Sequence, residues 1–436
     1  MNTAHDARSA AHSTANATAI AAAKRAAEHA ARDSYGRLLA ILSSRTRDIA
    51  LCEDALSSAF AKAIETWPDN GVPDQPAAWL LTVARRQLLD DWRHDNIVAA
   101  ATDTLLMTMD ELSHDAPLNA PEAVPDERLR LLFVCAHPAI NVAARAPLML
   151  QTVLGLDVNR MAGAFLTAPI TLAQRLVRAK SKIRDAGISF EYPESKDLPE
   201  RLQDVMEGIY AAFGTGWDNI DGADLERRGL TVEAIELCQV LCKLVPQEPE
   251  PLGLLALMLF CEARSAARLG ASGQYIALSQ QDTSLWDMAL MAEAESLLLQ
   301  AAQLGAMGAF QLEAAIQSFH TQKCQGAEVP SGALVMLYDA LVAIQPTLGA
   351  QVSRACALAQ HSGPAAGLAV LDALDADLVV QYQPYWAAKA HLHAQDHQKN
   401  AAQTAYRQAI GLAQSDAVRQ FLTQALADLA SPSSQH

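Results

Sequence analysis

Nowhere in these 436 residues does an alternation of apolar and polar positions run far, and that favours an all-helical reading over a half-buried sheet. Apolar residues recur instead at spacings of three and four, in a chain rich in alanine, leucine and glutamine and poor in aromatics. An all-α fold is expected. Apolar residues make up 51% of the chain, enough for more than one core, and domains usually run to roughly 100–200 residues, so two or three are expected. No apolar run reaches the roughly 18 residues of a membrane-spanning helix, and the Ala/Thr/His-rich start lacks a signal peptide's apolar core, so a cytoplasmic protein without membrane contact is expected. The seven cysteines are scattered with no Cys-x-x-Cys pair. Cys135 and His137 in "CAHP", and Cys238 with Cys242, each lack a second ligand pair and read as packed thiols. No nucleotide loop, nucleophile elbow or Cys/His catalytic set is present, so no catalytic residue, metal or cofactor is expected and the chain does not read as an enzyme.

Residues 1–30 read as a low-complexity Ala/His/Thr tail, helical at most in part. Residues 31–96 carry helical spacing broken at "DNGVPDQPAAW" and form a compact helical domain. Residues 97–125 contain Pro117, Pro121, Pro125, acids and no basic residue, and read as a mobile acidic linker with a short helix around 104–112. Residues 126–190 form a second small helical unit, stopped by Gly187 and Pro193 in "GISFEYPES". Residues 191–436 read as one helical array. Its segment "QPYWAAKAHLHAQDHQKNAAQTAYRQAIGLA" resembles a tetratricopeptide repeat at Trp386, Ala402, Tyr406 and Ala409, with Lys389 in place of the usual Leu. Such a repeat must stack on neighbours to bury its apolar face.

Charge separates these segments. The chain carries −16 overall, but residues 126–190 hold nine basic and four acidic side chains, a net +5. Binding to nucleic acid follows the local field, so the acidic total does not exclude it. Within "TLAQRLVRAKSKIRD", Leu172, Leu176, Ala179 and Ile183 fall on one helical stripe about 60° wide. Thr171, Gln174, Arg175, Arg178 and Lys182 fall on a separate face about 100° wide. One face packs and the other can read DNA, although a basic face is also what an ordinary solvated helix shows. The preceding "VLGLDVNRMAGAFLTAPI" supplies a short helix and turn, making a helix-turn-helix whose second helix enters the major groove.

"CEDALSSAFAKAIETWPDNGVPDQPAAWLLTVARRQLLDDWRHD" resembles region 2 of an extracytoplasmic-function sigma factor, and "ARAPLMLQTVLGLDVNRMAGAFLTAPITLAQRLVRAKSKIRDAGI" resembles region 4. "ERLQDVMEGIYAAFGTGW" looks like the opening of the C-terminal helical-repeat extension that one subgroup carries. The resemblance implies a promoter-specificity subunit of bacterial RNA polymerase. Region 2 would dock on the clamp helices of the polymerase core and open the minus-ten element; region 4 would bind the minus-thirty-five element and the flap. Carried onto this chain, core binding falls to the helix of Glu53, Asp54, Leu56 and Phe60, with Leu56 and Phe60 holding the domain together. Minus-ten contacts fall to Trp79, Arg85, Arg86, Gln87 and Arg93, with Trp79 more core than stacking platform. For the minus-thirty-five element, Gln174 and Arg178 suit base edges, Thr171 shares their face, and Arg175, Lys180 and Lys182 suit phosphates.

The sequence departs from the family at Ser57-Ser58, where a Gln and an acid are usual, at Arg160, where an acid is usual, and at Ala173, which often is polar. The resemblance implies a regulatory array, which could fold back onto basic region 4, strengthen core binding or present a groove to a protein signal; the sign of its effect is open, and the expectation is that it is required for activity and contacts regions 2 and 4. The alternative is a stand-alone helix-turn-helix regulator with a repeat sensor domain, which would grip duplex DNA tightly without polymerase. A repeat scaffold with no DNA role leaves the +5 unit and its two-faced helix unexplained. "HLHAQDH" gathers His391, His393, His397 and Asp396, but only His393 and His397 share a helix face, which favours a surface cluster over a metal site.

Overall fold

The computed structural model describes residues 3–96, 126–162, 165, 167–194, 196–217, 225–270 and 274–430. Every regular element among them is helical, and the one β feature is an isolated bridge between Leu269 and Tyr275. The fold is all-α. Two compact units divide the chain, Met1–Ala212 and Phe213–His436. The linker expected over 97–125 lies outside the described residues.

In the first unit, α1 (Thr3–Thr46), α2 (Ile49–Asn70) and α3 (Pro76–Asn96) pack together. Residues 3–30, expected as a tail, lie within α1. Alanine has the highest helix propensity, and Ala23, Ala27 and Ala30, spaced by four and three, form a buried stripe. Asp48 caps α2 by accepting the Leu51 N–H at 3.2 Å. Gly71 ends that helix at a φ of +82°, donating its N–H to the Trp67 carbonyl. Pro76 then starts α3, where its missing N–H is no loss. Leu38 and Leu39, Cys52, Leu56 and Ala59, and Leu80, Ala84 and Leu88 bring the three helices into one core.

α4 (Glu127–Cys135), α5 (Val142–Leu154), α6 (Val158–Ala162) and α7 (Pro169–Asp185) follow, with α8 (Leu198–Trp217), whose residues to Ala212 belong to this unit. Arg145, buried at 6% exposure, ties α5 to α8. Its guanidinium donates to Asp204 at 2.6 Å and to the carbonyls of Ile140 and Pro138. Gly208 of α8 passes so close to α5 that a Cβ there would stand 2.4 Å from the sulfur of Met149. The two helical groups share one unit because α1 packs on both α4 and α5. It crosses α5 at Gly36, where a Cβ would fall 1.6 Å from the Val153 carbonyl oxygen, and Gly155 ends α5 at a φ of +63° against the ring of Tyr35.

The second unit is a succession of helices packed mainly on their neighbours in sequence, with α10 (Pro249–Glu262) against α11 (Met288–Leu304) and α12 (Ala309–Cys324). Further on, α17 (Gln383–Gln395) packs on α18 (Lys399–Leu412), and α18 on α19 (Asp416–Ala430). Ala402, Tyr406 and Ala409 are buried between them, and Trp386 packs against both this cluster and the preceding one. Lys389, where a leucine was expected, bonds Asp372 at 2.7 Å and the Tyr385 hydroxyl at 3.0 Å, so its stem can pack while its charge is paired. His391 bonds Gln395 and His393 bonds Gln398, while His397 stands beyond α17 at a positive φ.

Candidate nucleic-acid interface

The stripe of Leu172, Leu176, Ala179 and Ile183 on α7 is buried, none of the four more than 5% exposed. That fixes the opposite face outward. Thr171, Gln174, Arg178 and Lys182 are exposed, and Arg175 is half-buried with its guanidinium 3.4 Å from the Thr167 hydroxyl. Five polar side chains are thereby held on one rigid helix. Arg175, Arg178 and Lys182 also line a groove of about 570 Å³ against the start of α5. There Asn141 caps α5 by accepting the Ala143 N–H at 3.0 Å, so the positive end of a helix dipole adds to three side-chain cations. An anion of phosphate type fits this field.

Lys180 does not stand with them. It follows Leu176 by four residues, on the edge of the packed stripe, and its side chain is 9% exposed. Its ammonium donates to both carboxylate oxygens of Glu53 on α2, at 2.7 Å to Oε1 and 2.5 Å to Oε2. In this conformation Lys180 is therefore not available to a phosphate, nor Glu53 to a polymerase cation. Burial raises the Glu53 carboxyl above the ordinary carboxylate value, against the attraction of Lys180. Arg184 adds a longer contact to Asp48 at 3.7 Å.

The rest of α2 divides as its periodicity dictates. Leu56 is fully buried and Phe60 half-buried, while Asp54, Ser57 and Ser58 face solvent. Leu51 and Ile64, 40% and 45% exposed, share that outer face. On α3, Arg86 is exposed and Arg85 half-buried, its guanidinium pKa lowered by burial and by Arg45. Gln87 donates to Asp91 at 2.8 Å. Trp79 is half-buried, its ring edge-on to Trp67 at 5.4 Å between centroids. The side chain of Arg93 lies outside the described residues.

Residues 31–96, which hold α2, α3 and the end of α1, match the model of sigma-70 region 2. An uncharacterized protein of Rhizobium meliloti (strain 1021) is 34% identical over 369 residues, covering 84% of this chain and 87% of its own length. The chain belongs to the sigma factor family. Residues 201–302 of this sigma factor match a family of unknown function, DUF6596. No solved structure matches. Among the described residues no helix is long and apolar enough to cross a membrane, and no cluster of three His, Cys, Asp or Glu could hold a metal ion. Burial pushes the thiols of Cys52 and Cys135 up to about 11 and about 12, the latter beside the Thr152 hydroxyl.

Sequence reasoning missed three features of the sigma factor's site. Leu51 and Ile64 lie three before and ten after Asp54, so a wheel drawn on Asp54 would have found them. Ile170 and Val177, 76% and 64% exposed, flank the donors of α7 and suit the methyl group of thymine. The pairing of Glu53 with Lys180, 127 residues apart, has no local signal.

Proposed function

We propose that this sigma factor is of the extracytoplasmic-function type, acts in the cytoplasm without catalysis of its own, and directs polymerase to promoters of one sequence class. The outer face of α2 docks on the core clamp helices through Asp54, Leu51 and Ile64, joined by Glu53 when it is released. The exposed Arg86 and half-buried Arg85 of α3 hold the minus-ten strand, where stacking and pocket bonds must return the few kcal/mol of extruding a base. α6 and α7 act as a helix-turn-helix: Gln174 and Arg178 read minus-thirty-five base edges, while Arg175 and Lys182 seat a backbone phosphate against the start of α5. The C-terminal helical array regulates the pair. The observation that carries this reading is the rigid presentation of Thr171, Gln174, Arg178 and Lys182 from a fully packed α7 in a chain whose residues 31–96 match region 2.

Run-off transcription with purified bacterial core polymerase and the full-length protein, on promoter DNA selected by that holoenzyme, tests it. Initiation that depends on the protein is the expected result. If polymerase is neither bound nor redirected while the free protein grips duplex DNA, the stand-alone regulator is the correct account.

A further inference from the structure

The crest of α7, directly opposite its buried stripe, is not its basic face. At about 100° per residue, Gln174 and Ser181 lie within about 10° of that crest, Ile170 within about 30°, and Val177 and Arg178 about 50° to either side. Arg175 and Lys182 lie about 90–110° away, on the flank that lines the groove against α5. Ile170 is 76% exposed and Val177 64%, and no large apolar side chain among the described residues is more exposed than Ile170. Single apolar residues on a surface need no explanation. Two of them beside the one amide on the crest of a helix edged by Arg175, Arg178 and Lys182 require one.

The inference rests on the helix-turn-helix reading above. A helix presented in this way enters the major groove with its crest toward the base edges and its flank toward the backbone. Of the groups that base pairs display in that groove, the C5-methyl of thymine alone is apolar. Ile170 and Val177 are seven residues apart, about 10 Å along the axis, which spans about three base pairs at about 3.4 Å each. Gln174 lies between them and carries the amide that pairs with adenine N6 and N7. We propose that Ile170 and Val177 determine promoter specificity by reading two thymine methyl groups about three base pairs apart in the minus-thirty-five element, on either side of an adenine held by Gln174. The flanking cations supply affinity and register, and the crest supplies the choice of bases. Cytosine at either thymine position would set its N4 amine against an apolar side chain that cannot accept its proton, so the crest rejects cytosine as well as favouring thymine.

Deoxyuridine in place of thymidine removes only the methyl group and keeps every pairing bond, which isolates the contact. In holoenzyme made from purified bacterial core polymerase and the full-length protein, uracil is scanned through both strands of the minus-thirty-five element of a promoter selected by that holoenzyme. Two positions about three base pairs apart should each lose about fourfold in affinity, the value of one buried methyl-sized group. Ile170→Ala should abolish the loss at one position and Val177→Ala at the other, while Ile170→Val, which keeps a branched apolar tip, should retain it. Both side chains are exposed, so helix content by circular dichroism should match the parent in every variant. A selected element lacking two thymines at that interval, a flat uracil scan, or losses that persist unchanged in both alanine variants overturns the methyl readout while initiation leaves the sigma reading intact. Alanine variants that weaken core binding without DNA and leave the scan flat assign the crest to polymerase and overturn it equally. Failure of every form to bind core and initiate overturns the sigma reading itself.

Discussion

Arg178 and Lys182 are one helical turn apart on α7, both exposed, yet removing them should have different consequences. Arg178→Ala should cost roughly 1–3 kcal/mol on the selected promoter and relax preference at one minus-thirty-five position, measured by binding to a panel of single-base variants. Lys182→Ala should weaken all sequences alike and reduce the slope of log K against log salt by about 0.9, the signature of one lost phosphate contact. Holoenzyme titrations at several salt concentrations separate the two. Arg145 makes a contrasting case away from the DNA face. Its charge is buried with Asp204, whose own pKa is raised by burial despite Arg145, so Arg145→Met leaves an uncompensated carboxylate and should cost about 3–5 kcal/mol by thermal or denaturant unfolding. Arg145→Lys should not restore stability, because a single ammonium cannot reproduce the fork that reaches Asp204, Ile140 and Pro138 together.

At the scale of single elements, α7 was legible because its information is local. A stripe at spacings of four, three and four must pack, and whatever lies opposite must face outward; the buried Leu172, Leu176, Ala179 and Ile183 follow from that alone. Lys180, four residues after Leu176 on the edge of the packed stripe, is paired with Glu53 in this conformation, which residue type alone did not reveal. α1 was misread for the opposite reason. An alanine-rich segment has helix propensity without an obvious apolar face, so the burial of Ala23, Ala27 and Ala30 depends on partners that local pattern does not reveal. On α12, burial with Arg264 and Lys323 nearby lowers the His320 pKa from 6.5 to about 4. The unfolded chain then binds the extra proton between those values. His320 therefore contributes stability that is complete above about pH 6.5 and is lost as pH falls toward 4, at most about 3 kcal/mol. Melting temperature followed from pH 7 to pH 4 should fall less steeply in His320→Gln than in the parent.

For the molecule as a whole, the all-α class and the helical C-terminal half were readable from periodicity, whereas the division into units was not. Composition placed a break near residue 191, but Leu202, Val205, Met206 and Ile209 of α8 are buried in the first unit, and Asp204 completes the Arg145 pair there. A chain ended near residue 195 should therefore melt well below one ended after Trp217, and the comparison by differential scanning calorimetry checks it. Loss of transcription in the shorter chain would report missing α8, not a missing regulatory array. Long-range packing of this kind is set by shape complementarity, such as Gly208 under Met149, which no sequence window contains.

The crossing of α1 over α5 at Gly36 also bears on how the chain tolerates change. A Cβ there would fall 1.6 Å from the Val153 carbonyl oxygen, so any other residue must push the two helix backbones apart and disturb a wall that includes the buried Leu38, Leu39 and Val153. The position therefore admits glycine alone, and a single codon limits how the first unit can drift in sequence.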